Sequence, residues 1–223
     1  MNAELNKLTV YHASTEIIKE PKWDYVLKDN KKYKTSDFGP GFYTSKDTEQ
    51  PIKLLCYSEV VHLNKYELDL NGLDVLNFDL DREWLLTIMF HRREFKSRKK
   101  LHILRNEYRE RISEADVVIA PIADDKMFST IQSFMDNAIT DIVTIASMNA
   151  MDYHEQIVMK SDKACNNLKF IEVTKINIEE LAKYREIVDI ERTMIEEKMI
   201  EVRVEYARQG EIAEEILRKK GVN

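Results

Sequence analysis

The 223-residue chain combines 43% apolar with 33% charged residues, a composition that suits a soluble intracellular protein with one large domain, or a domain and an appendage. No run approaches the roughly 20 apolar residues of a transmembrane helix, and the opening MNAELNKLTVYHAS lacks the basic flank and apolar core of a signal peptide, so a cytoplasmic protein without a membrane partner is expected. A net charge of −6 and two isolated cysteines, Cys56 and Cys165, argue against general nucleic-acid affinity, a disulfide framework and a zinc site, leaving both cysteines to packing.

In chain order, LTVYHAS (8–14) has the β-branched and aromatic content of a first strand. A polar stretch with Pro21, Trp23 and Tyr25 follows as loop, and FGPGFYTS opens a second strand behind a glycine-proline-glycine turn. TEQPIKLLCYSEVV predicts a helix that starts at Thr48 and tolerates Pro51 in its first turn. KYELDLNGLDVLNFD predicts a strand, a turn at Asn71-Gly72 and a further short strand. REWLLTIMFHRREF spaces its apolar residues as a helix that carries Trp84 into the core, and ADVVIAPIADD reads as a buried strand running into a loop. Helices are expected over DKMFSTIQSFMDN and 139–149, then strands at EQIVMKS and LKFIEVTKI.

From Asn177 the texture changes. More than thirty residues without glycine or proline place Leu181, Tyr184, Val188, Ile195, Val202 and Tyr206 on one face. This predicts a long amphipathic helix stopped near Gly210 and a short final helix at EIAEEILRKK. The chain therefore divides into a domain over 1–176 and a helical extension over 177–223, whose apolar face would meet the domain, a second copy or an antitoxin-like partner. One charge reversal stands out: residues 91–111 hold nine Lys and Arg against three Glu. It reads as a solvated helix face, or as a surface for a phosphate backbone.

DFGPGF has neither the Lys-Thr pair of a P-loop nor the spacing of a dinucleotide fingerprint. Three other segments carry the suggestive residues. His12 lies in the first strand within YHAS, Tyr43 follows the glycine turn in GPGFYTS, and Glu155-Gln156 opens the late strand in HEQIVMKSDKACNNLKFI. In that order they resemble the three motifs of the diphtheria-toxin-like and poly-ADP-ribose-polymerase-like ADP-ribosyltransferases. Together with ADVVIAPIADDKMF, the chain is similar over about 8–173 to a bacterial domain of unknown function placed in that clan.

The resemblance implies an α+β fold: two small, mainly antiparallel sheets forming a cleft, helices around them and the C-terminal helical extension. It implies an enzyme that uses NAD as substrate and transfers ADP-ribose to a macromolecular acceptor, protein or nucleic acid, as a toxin-like or phage-defence effector. His12 would bond a ribose hydroxyl and Tyr43 would stack on nicotinamide. The backbone at Ala13 would approach the carboxamide, with Ser14 and Phe42 beside it. Gly39 and Gly41 would give a tight turn and a close cofactor approach. Arg92 or Arg93 would meet the diphosphate, and Asp125 would cap a helix or touch substrate. The third motif is usually a glutamate, and here either Glu155 or Gln156 takes its place, because alternate strand residues face opposite sides. A neutral amide stabilises a cationic transition state less, so a non-catalytic NAD-binding, nucleotide-binding or protein-interaction module of the same fold is the alternative.

Overall fold

The computed structural model describes residues 6–24, 36–92, 99–123, 125–150 and 153–221. Among these residues are seven strands, β1 (Lys7–Ser14), β2 (Phe42–Ser45), β3 (Val61–Asp69), β4 (Val75–Asn77), β5 (Val117–Pro121), β6 (Glu155–Met159) and β7 (Leu168–Ile176), and eight helices. These are α1 (Glu49–Leu55), α2 (Arg82–Arg92), α3 (Lys99–Glu114), α4 (Asp125–Met135), α5 (Asp141–Ala150), α6 (Asp162–Asn166), α7 (Ile178–Glu205) and α8 (Ala213–Lys219).

The strands form one sheet in the order β4-β5-β6-β2-β1-β3-β7, where two separate small sheets were expected. The α+β class holds, and the sheet is nonetheless close to divided at its middle. β1 pairs β3 from Lys7↔Asp69 to Ser14↔His62, and β2 pairs β6 from Phe42↔Met159 to Ser45↔Gln156, but β1 and β2 share only Tyr11↔Ser45. The backbone of His12, Ala13 and Ser14 thus has no strand partner on the β2 side. The Asn71-Gly72 turn does not make a hairpin: Gly72 takes a φ of 74°, and β4 instead runs parallel to β5 after a crossover through α2 and α3.

Strand alternation sorts the core. Val118, Ala120 and Val158 face α2, α3, α4 and α8, in a cluster with Trp84, Phe90, Ile131 and Phe134. Val117, Ile157, Met159 and Phe42 face the other way, with Val10, Tyr66 and Leu68. Trp84 is fully buried, and its indole donates to the Pro121 carbonyl at 3.2 Å, so its polar handle is satisfied inside the core. Cys56 and Cys165 are buried free thiols.

The extension docks on its own domain. Leu181 and Val188 of α7 close a third cluster with Ile52 and Cys56 beneath α1. Lys53 pairs with Glu191 at 2.8 Å, and Arg185 donates to the Cys56 carbonyl at 2.6 Å. Further along α7, Lys198 donates to the Ala150 carbonyl at the end of α5. α8 adds Ala213 and Ile216 to the main cluster, and Arg82 of α2 bridges Asp141 at 2.5 Å and Glu211 at 3.0 Å. Among the described residues no helix is long and apolar enough to cross a membrane.

Candidate functional site

The Asp37–Ser45 segment turns sharply because Gly39 adopts a φ of 70°, a left-handed conformation that costs glycine little. Gly41 serves a different need. A Cβ there would lie 2.5 Å from Val158 Cγ1 and 3.1 Å from the Met159 carbonyl, so the close approach it permits is to β6. Tyr43 then closes the turn: its hydroxyl donates to the Gly39 carbonyl at 2.7 Å and accepts from the Phe38 amide at 3.2 Å. Burial pushes the Tyr43 phenol well above its usual range, which keeps it a neutral donor.

His12 stands across the gap between β1 and β2. Its Nδ1 lies 2.7 Å from the Tyr43 carbonyl, and its ring packs on Phe42 with centroids 4.5 Å apart. A carbonyl only accepts, so Nδ1 carries the hydrogen. Burial lowers the His12 pKa below the ordinary imidazole value, leaving the ring neutral near pH 7 with Nε2 as an acceptor. One hydrogen bond therefore ties the first motif to the second and sets the tautomer.

Gln156 points to the same side of the sheet as Tyr43 and Ser45. Its amide nitrogen donates to Asp37 Oδ2 at 2.6 Å and to the Pro121 carbonyl at 3.0 Å. Both partners are acceptors, which fixes the orientation of the amide. Asp37 also accepts from the Ala123 amide at 3.1 Å and pairs with Arg92, whose guanidinium donates to the Ala123 carbonyl at 2.7 Å. Burial pushes the Asp37 carboxyl upward, while Arg92, Gln156 and the Ala123 amide pull it back.

Two cavities share His12 and Tyr43. One, of about 230 Å³, is lined by Tyr11, His12, Ala13, Tyr43, Ser45 and Gln156, with Ile122 and the start of α1. The other, of about 670 Å³, adds Ser14, Gly41 and Phe42 to the segment from Glu16 to Lys22. The structure thus gathers His12, Ala13, Ser14, Gly41, Phe42, Tyr43 and Gln156 around the gap. Glu155 is not among them: it points to the other side of the sheet, is exposed at the start of β6 and pairs with Lys46 at 3.1 Å. Gly39 shapes the turn outside both cavities, and Arg92 is engaged with Asp37. Arg93 and the side chain of Asp125 fall outside the described residues.

Sequence reasoning missed Asp37, the buried acid that joins Gln156 to Arg92. Its position just ahead of the glycine turn was the one available signal. Chemically, the site offers a neutral imidazole acceptor, the hydroxyl of Ser14 and an aromatic wall. These groups suit a ligand with a flat face and a hydroxyl donor. Among the described residues no group of three or more His, Cys, Asp or Glu is placed to hold a metal ion.

No curated protein and no solved structure matches the chain. A family model does, over residues 8–170, from the first residues of β1 into β7, and so across every residue of the site. The chain belongs to the family described as protein of unknown function, DUF3990.

Proposed function

We propose that the chain is an NAD-dependent ADP-ribosyltransferase whose site is the gap between β1 and β2. The observation that carries this reading is that His12, Tyr43 and Gln156, drawn from three distant segments in the motif order of that clan, line one cavity. Nicotinamide would lie against Tyr43 with its carboxamide beside the backbone at Ala13, and His12 Nε2 would accept from a ribose hydroxyl. The bond from ribose C1′ to nicotinamide breaks with its electron pair leaving on nicotinamide. A nucleophile of the acceptor then bonds to C1′ and releases its proton. Charge develops on the ribose as that bond breaks, so groups aimed there act on the rate rather than on binding alone.

The neutral amide of Gln156 favours a second reading, a module that binds NAD without turnover. Both of its hydrogens are occupied by Asp37 and Pro121, and a neutral carbonyl oxygen offsets a ribose cation less than a carboxylate does. A toxin-like or phage-defence role rests on the motif resemblance alone. Incubation of the full chain with NAD labelled in the adenylate, together with a cell extract, separates the readings. Label entering protein, RNA or DNA, and lost with His12→Ala, supports transfer; binding of NAD with no label transferred and no nicotinamide released supports the module.

A further inference from the structure

We propose that the cleft between α2, α3 and the Gly39 turn is a second binding site, one that takes a small organic phosphate with an apolar body. The cleft encloses about 390 Å³ and is lined by Trp23, Phe38, Pro40, His91, Arg109, Ile112 and Lys160, with Gly39 and Ser113 at its edge. Its volume falls in the range of small-molecule sites. Among the described residues none that lines the cleft is acidic, although acids outnumber bases in the chain, 40 to 34.

Two cations reach this cleft without a carboxylate partner among the described residues. Lys160 is buried, and its ammonium donates to the carbonyls of Phe38, at 2.6 Å, and of Pro40. Two of its three hydrogens are thereby used and one remains. Arg109 makes only a long contact, 3.4 Å, to the His91 carbonyl, and its Nε is buried without a hydrogen-bond partner. Arg105, one turn earlier on α3, has a buried unpartnered Nε as well. Unpaired guanidinium and ammonium groups taken from water are costly, and a phosphate dianion satisfies several at once through charge-assisted hydrogen bonds. Trp23, Phe38 and Ile112 add apolar lining that fits an apolar or aromatic group attached to that phosphate. The apolar lining also distinguishes the site from a groove that only tracks a nucleic-acid backbone. Part of the basic segment at 91–111 thus faces a cavity through Arg109 and His91.

Trp23 provides the readout, because the second of the two tryptophans, Trp84, is fully buried in the core. Phenyl phosphate, inorganic phosphate and phenol are titrated into the full chain while tryptophan fluorescence is followed. The expected result is a saturable change with phenyl phosphate, weaker with either fragment. Arg109→Gln should weaken it at least about tenfold, and His12→Ala should leave it unchanged, which separates this site from the NAD reading. Ser113→Glu, an exposed substitution that adds a negative charge at the edge of the cleft, should cause the same loss and covers the case in which Arg109→Gln fails to fold. No saturable change up to about 10 mM phenyl phosphate, or affinity unaltered in folded Arg109→Gln and Ser113→Glu proteins, overturns the proposal.

Discussion

Gly41→Ala probes the packing that brings Tyr43 and Gln156 to one side of the sheet. The added Cβ would sit 2.5 Å from Val158 Cγ1, 3.1 Å from the Met159 carbonyl and 3.4 Å from Lys160 Cδ. The first two cannot swing aside, since Val158 is a fully buried β-branched residue and the carbonyl belongs to β6. Overpacking of this kind costs about 1–3 kcal/mol. For a chain of this size that corresponds to a fall of about 2–12 °C in Tm, measurable by scanning calorimetry. The clash has a named partner, so Val158→Ala should reduce the cost of Gly41→Ala in a double-mutant cycle. A Tm unchanged by Gly41→Ala, or a cost that is the same with and without Val158, would refute the assignment of Gly41 to close β2–β6 packing.

Three further outcomes follow from buried groups. Asp37→Asn should lower stability in urea by about 3–5 kcal/mol, because Arg92, only 11% exposed in its side chain, loses its carboxylate; Arg92→Met in the same chain should restore part of the loss. Burial holds the His91 imidazole at about 4 rather than the ordinary 6.5. As pH falls from 6.5 towards 4 the unfolded chain takes up the proton first, so stability is complete above 6.5 and declines by up to about 3 kcal/mol across that window. His91→Gln should flatten this decline, and an unchanged pH profile would contradict it. Ile216→Ala in α8 should cost about 2–5 kcal/mol by opening a cavity in the main core; a cost near zero in chemical denaturation would mean that the last helix does not complete that core.

Most elements were legible because their signals are local. The alternation in LTVYHAS, EQIVM and LKFIEVTKI, and the long run free of glycine and proline after Asn177, match β1, β6, β7 and α7 closely. The face predicted on α7 holds its buried positions, Leu181, Val188 and Val202. What escaped depends on partners far away in sequence. β4 has three residues and finds β5 rather than the strand before it. The five-residue α6, capped by Ser161, is too short to show a helical period. The two expected sheets form one because a single residue pair, Tyr11↔Ser45, joins its halves. At the site, His12, Tyr43 and the Glu155-Gln156 alternatives could be named from motif order, and alternation allowed only one of the last two to face inward. The choice of Gln156 was not legible, because it is set by Asp37, 119 positions away, and by the Pro121 carbonyl. Likewise the bond between Asp37 and Arg92 spans 55 positions and removes an arginine that the sequence offered to a diphosphate.

Calorimetric titration of NAD into the wild-type chain and into folded His12→Ala tests the central claim most directly, since both the catalytic and the non-catalytic reading require the cofactor to bond His12. Saturable binding to the wild type, weakened at least about tenfold by His12→Ala as expected for a lost hydrogen bond and ring wall, is the predicted result. An absence of binding to the wild type, or equal affinity in the two proteins, would contradict it.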